Sequence, residues 1–204
     1  MCSSTRSWSC LTRSVSILAG ASRPEVRGLR ERLNATAGTG ATIFAPGWPT
    51  SDPRTAALLN GIAGRSLELG EGNRYVSYQG AMQILPGLLS VGEWVRGTGG
   101  DMLAGLILGY DAGARLGAAM TTRPIAHQNG QTALLGAAAA GSRLRALNAA
   151  DTSRAIRIAA TLVLTPSYHN AVAGATALNV AGGMSGFALG LKRIPLISKH
   201  SLRA

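Results

Sequence analysis

The residue types that most readily move protons are few in this chain: three histidines and nine carboxylates among 204 residues. His127 stands apart from the other two histidines. It lies in the loop Thr121 to Gly130, between two expected helices, whereas His169 adjoins a late helix start and His200 falls in the C-terminal tail. An imidazole titrates near neutral pH and can take or give a proton. Read from its neighbours alone, His127 is more simply a polar residue flanking a helix. The second polar concentration is Glu68-Leu69-Gly70-Glu71-Gly72-Asn73-Arg74-Tyr75. By itself it reads as a solvated charged loop whose local ion pairs are each worth little. Cys2 and Cys10 have neither a disulfide framework nor metal-ligand spacing, which suits a reducing compartment. No metal site is expected.

The elements that must position these groups follow from spacing. Gly99-Gly100 breaks the chain, and Asp101 offers a cap for a helix from Met102 to Met120. Gly105, Gly109, Gly113 and Gly117 recur every four residues on one face of it. Each costs roughly 1 kcal/mol against alanine, which implies a face approached closely by another helix backbone. The same spacing drives transmembrane helix pairs. Here the apolar run before Asp111 is too short to span and Arg115 follows, so no membrane span is expected. Pro124 and Asn129-Gly130 mark irregular backbone around His127. A second helix is expected from Gln131 to Leu147, its small residues Gly136 to Gly141 implying burial on several sides. A third runs from Thr152 to Leu164 with Ile156, Ile158, Ala159, Leu162 and Val163 inward, and ends at Pro166. Asn148 and Asp151 supply stop and start signals between them.

Upstream, helices are expected over Leu11–Ala19, Pro24–Leu33, Arg54–Ser66 and Ala81–Arg96. Asn34 to Pro53 is loop-rich, with Ala41 to Phe44 a short extended piece. Residues 1–24 lack acids and carry Arg6, Arg13 and Arg23, a pattern shared with transit peptides. The helical reading is preferred because Pro24 and Glu25 then open the next helix. A cytoplasmic protein follows, or a mitochondrial one if that segment is a leader.

Composition narrows the class. Aromatic residues make up only 4%, while alanine and glycine abound. Such a core suits closely packed helices rather than a β-sandwich, so the fold is expected to be all-α. The net charge is +11, yet only Lys192 and Lys199 are lysines and the arginines are scattered. No nucleic-acid motif accompanies them, so nucleic acid is not an expected partner. Residues 1–190 read as one helical domain and 191–204 as a basic, disordered tail.

A set of short motifs, taken in order, resembles the MmgE/PrpD family. They are Leu18-Ala19-Gly20, Arg23-Pro24, Asn60-Gly61, Leu67-Glu68, Glu71-Gly72-Asn73-Arg74 and Leu85-Pro86. After them come Gly109-Tyr110-Asp111, Arg115-Leu116-Gly117, His127 before Gly136-Ala137-Ala138-Ala139-Ala140, and Gly174-Ala175-Thr176 with Asn179-Val180-Ala181-Gly182. The resemblance covers about residues 10 to 190 and implies the family's helical N-terminal domain. The family includes 2-methylcitrate dehydratases and cis-aconitate decarboxylases. Its active site lies between a helical domain and an α+β lid and needs no metal or other cofactor. The implied substrates are small polycarboxylates that lose water or carbon dioxide. That chemistry needs cations for the carboxylates and an acid or base for one proton.

The carry-over assigns catalytic roles to His127 and to Glu68 or Glu71, and substrate binding to Arg74, Gln79 and Tyr78. Glu68 replaces a usual aspartate, and Gly70 falls where another acid is usual. The family's His-Pro pair falls on Gln79-Gly80, and a helical lysine or arginine falls on Ala177-Leu178. The lid falls outside the 204 residues, so a truncated family member is expected. Two functions compete: a lyase, or a catalytically impaired partner subunit acting as a helical interaction domain. The second would pair with another copy or with a separate lid chain.

Overall fold

Polar side chains set most of the helix starts in the computed structural model, which describes residues 2–33, 40–121 and 125–189, with side chains from Leu11 onward. Asp52 caps α3 (Pro53–Arg65) by accepting from the Arg54 and Thr55 amides at 3.0 and 3.3 Å. Thr98 caps α5 (Gly99–Ala118), and Asn148 caps α7 (Ala149–Ala160). The remaining helices are α1 (Cys2–Gly20), α2 (Pro24–Leu33), α4 (Ala81–Val95), α6 (Thr132–Leu144), α8 (Tyr168–Val172) and α9 (Ala177–Leu189). One small antiparallel pair joins β1 (Ala41–Thr42) to β2 (Thr50–Ser51), with Ala41 opposite Ser51. The fold is all-α, as composition implied. No helix among the described residues is long and apolar enough to cross a membrane. The expected tail 191–204, part of the Asn34–Pro53 loop, part of the His127 loop and the two cysteine side chains lie outside the described residues.

Several boundaries differ from expectation for local reasons. Helix α5 begins at Gly99, because Thr98 Oγ accepts from the Asp101 amide at 3.2 Å while the Asp101 carboxylate accepts from the Thr98 amide at 3.3 Å. Asp101 thus closes a capping box from inside the helix. Helix α7 ends at Ala160, well before Pro166. The Thr161 hydroxyl donates to the Ile158 carbonyl at 2.7 Å, and the Leu164 amide turns to the Gly130 carbonyl at 3.1 Å. In consequence Leu162 is exposed, and Ala155 and Ala159 are the buried residues of α7.

Helix α4 is the central element. Every residue from Ala81 to Leu88 is buried. On one side Met82 joins Ile17, Val26, Ile43, Leu59 and Ile62; on the other, Ile84, Leu88 and Val91 meet Leu106, Ala137 and Ala140. Backbone contact replaces much of the side-chain packing at two tight seams. A Cβ added at Gly109 would lie 2.6 Å from the Gly136 carbonyl oxygen, so α5 and α6 touch through their main chains. A Cβ at Gly61 would lie 2.8 Å from the Gly183 Cα, which brings α9 equally close to α3. The four-residue glycine period on α5 therefore marks a helix seam.

Candidate functional site

Arg65, the last residue of α3, is the group around which the polar residues gather. Its side chain is only 1% exposed. A buried guanidinium must be paired and hydrogen-bonded to persist, and Arg65 is. Nη2 donates to both Glu68 oxygens, at 3.0 and 2.8 Å, and Nη1 donates to Gln79 Oε1 at 3.3 Å. With its amide oxygen turned toward the cation, Asn129 accepts from Nη2 and Nε at 3.3 and 3.2 Å. That orientation follows from charge: an acceptor facing a cation outweighs the neutral bond from Gln83 Nε2 to Asn129 Oδ1, at 3.3 Å, that the other orientation makes. The chain reverses after α3, with the Glu68 amide bonded to the Arg65 carbonyl at 3.0 Å and Glu68 itself at φ 54°. On the far side, Gly182 of α9 leaves room for the Arg65 stem, since a Cβ there would meet Arg65 Cγ at 2.6 Å.

His127 joins the cluster through Asn129. Its Nδ1 accepts from the Asn129 amide at 3.2 Å, which assigns the proton of the neutral ring to Nε2. The backbone holds the ring in place: the His127 amide donates to the Pro166 carbonyl at 2.8 Å, and its carbonyl accepts from Gln131 Nε2 at 2.8 Å. The ring stacks on Tyr168 with centroids 5.8 Å apart. Burial lowers the His127 pKa below its ordinary value, nearby Arg65 lowers it further, and Glu68 partly opposes. Gln83 ties three elements behind it. Its Nε2 donates to the Gln79 carbonyl at 2.7 Å, and its Oε1 accepts from the Gly130 amide at 2.8 Å and more weakly from Ser185 of α9 at 3.4 Å.

The structure thus brings together Glu68, Gln79 and His127, and sets the other three sequence candidates elsewhere. The Glu71 carboxylate caps α4 from outside the helix, accepting from the Ala81 and Met82 amides. Gly80 has no side chain to cap with, so a carboxylate at this helix start complements the dipole. Burial raises the Glu71 pKa, and these backbone bonds oppose the rise. Tyr78 is 2% exposed, edge-on to Tyr110 at 5.1 Å, with its hydroxyl unpaired among the described residues beside Gly113 and Gly136 in the α5–α6 seam. Burial, with the Glu71 charge nearby, drives its phenol pKa upward. Arg74 is exposed and makes no ion pair among the described residues. No three His, Cys, Asp or Glu residues converge on a metal position among those residues.

Sequence reasoning missed Arg65, Asn129, Gln83 and Ser185. Arg65 looks like any basic residue in a last helical turn, Asn129-Gly130 looks like a turn pair, and Ser185 sits in an apolar helix. The one available signal was the three-residue separation of Arg65 and Glu68, short enough for an ion pair across the turn that follows α3.

A comparison with curated proteins finds no match. A family model described as the MmgE/PrpD N-terminal domain matches residues 12–186. That span runs from α1 into α9 and takes in the whole polar cluster, and on it the chain belongs to the MmgE/PrpD family.

Proposed function

We propose that the chain carries the carboxylate-handling half of a lyase acting on small tri- or dicarboxylates, such as 2-methylcitrate or cis-aconitate. The observation that supports this most is the juxtaposition of a buried guanidinium, a carboxylate and a buried imidazole: Arg65, Glu68 and His127, with Asn129 bonded to both the first and the last. Roles follow from protonation. The His127 Nδ1 is occupied as an acceptor, so Nε2–H is a donor suited to polarising a leaving hydroxyl or a carboxylate. Glu68, a solvent-exposed carboxylate ion-paired with Arg65, is the group suited to accept a proton. Gln79 would hold a remaining polar group of the substrate. Glu71 and Tyr78 would support the site by fixing the start of α4 and the α5–α6 seam. Residues or a chain beyond those described would cover the site.

The test is a lyase assay that follows the absorbance of unsaturated acids with 2-methylcitrate and cis-aconitate. Turnover is expected from the wild type, with a loss on the order of a hundredfold in His127→Ala. No turnover from a chain with a helical spectrum would refute the lyase reading and favour the other one. In that reading the chain is a helical interaction domain for a second copy or a lid chain. One observation favours it: Ile125, Tyr168 and Val172 are 65, 51 and 74% exposed, and the Tyr168 amide bonds the Ile125 carbonyl at 2.7 Å, so apolar surface is continuous beside His127.

A further inference from the structure

The ion pair at the centre of the site is unequal. The Arg65 side chain is 1% exposed and the Glu68 side chain 63% exposed. The cation is therefore fixed in the protein, while its carboxylate partner faces solvent on a turn held at φ 54°. Glu68 also uses the guanidinium poorly. Both its oxygens bond to Nη2, whereas a carboxylate meets a guanidinium best as a fork, one oxygen on each of two nitrogens. Nη1 is left to a neutral amide, Gln79 Oε1, at 3.3 Å. The chain passes Nη1 at a residue with no side chain: a Cβ on Gly70 would lie 3.0 Å from Nη1 and 3.7 Å from Gln79 Nε2. Both of those nitrogens are donors.

We propose that Arg65 is the carboxylate anchor of this site and that Glu68 is a resident carboxylate which the substrate displaces. An incoming carboxylate takes one oxygen to Nη2, in place of Glu68, and the other to Nη1 and Gln79 Nε2 beside Gly70. The buried cation stays neutralised throughout, so the exchange avoids exposing an unpaired charge in the core. The displaced Glu68 carboxylate is then free beside the bound substrate and close to His127. Anchoring and release of the base are a single event in this scheme. The class of ligand rests on the lyase reading; the exchange itself is tested by binding alone.

The probe is tricarballylate, a tricarboxylate with no hydroxyl to eliminate and no double bond, titrated calorimetrically into the full chain. Glu68→Gln removes the competing charge and leaves an exposed residue of the same shape. Its dissociation constant is expected to fall about tenfold relative to wild type. Gly70→Asp supplies a second internal competitor beside Nη1, and binding is expected to weaken about tenfold. Arg65→Lys, which keeps the charge but loses the fork, is expected to weaken it similarly, with circular dichroism confirming the helical fold. Unchanged or weaker binding by Glu68→Gln overturns the proposal, as does absence of binding by both wild type and Glu68→Gln. Tighter binding by Glu68→Gln without turnover of 2-methylcitrate or cis-aconitate keeps the exchange and removes the lyase reading. Turnover by wild type with no tightening in Glu68→Gln does the reverse.

Discussion

Replacing Gly136 with alanine sets two effects of known size against each other. In a helix with free space, alanine is better than glycine by about 1 kcal/mol. In α6 the added Cβ would lie 2.4 Å from the Gly109 carbonyl oxygen, 2.9 Å from the Tyr78 hydroxyl and 3.1 Å from Ile84 Cδ1. The carbonyl belongs to the hydrogen-bond ladder of α5 and cannot swing aside. To reach an ordinary 3.4 Å contact the helices must part by about 1 Å. Forced expansion of a close-packed interior costs about 1–3 kcal/mol, and a backbone obstacle on a rigid helix belongs at the upper end of that range. With the propensity gain subtracted, the net loss is about 2 kcal/mol. At roughly 2–4 °C per kcal/mol for a chain of this size, Tm should fall by about 4–8 °C. Gly28→Ala on α2 is the matched control, because nothing lies within 4 Å of the new Cβ. Only the propensity term survives there, so Tm should rise by roughly 2–4 °C. Thermal unfolding followed by helical ellipticity reads both variants. A Gly136→Ala chain as stable as wild type would refute the backbone-contact account of the α5–α6 seam.

Three further outcomes are expected. Asn148→Ala removes the acceptor 2.9 Å from the Asp151 amide and should cost about 1 kcal/mol, read as a lower urea midpoint. Glu71→Ala leaves the Ala81 and Met82 amides without their carboxylate and should cost about 1–3 kcal/mol by the same measurement. His127 is held below its ordinary pKa of 6.5, so on acidification the unfolded chain takes up this proton first. Its contribution to stability is complete above 6.5 and declines as pH drops below that value. His127→Ala should flatten this part of the pH profile of urea midpoints, and an unchanged slope would show that His127 is not the titrating group.

Local signals carried the helices well and the site poorly. Pro24 and Glu25 marked α2 to the residue, because proline and an acid act through the first turn alone. The glycine period on α5 was legible as a close approach, but its partner was not, since α6 is rich in small residues along its whole length. Arg65 was invisible as a buried cation for a different reason. Its burial is produced by Gly182, Asn129 and Gln79, which lie far away in sequence and meet only when α9 and the His127 loop close over α3. Glu71 was recognisable as an acid in a polar loop. That it caps α4 depends on the loop folding back over Gly80, which spacing does not encode.

Two of the tightest seams in this fold, Gly109 against Gly136 and Gly61 against Gly183, are met by main chain on both sides. A crowded side chain elsewhere in a core can be relieved by trimming whatever it strikes. Here the struck atoms include carbonyls and an α-carbon, which no substitution removes, beside side-chain atoms of Ile62, Ile84, Tyr78 and Ala140. Second-site suppressors of a substitution in these seams therefore cannot come from a smaller neighbour alone. They must act by tilting or sliding a whole helix, and because α9 also closes over Arg65, a shift at Gly183 would reach the buried cation as well.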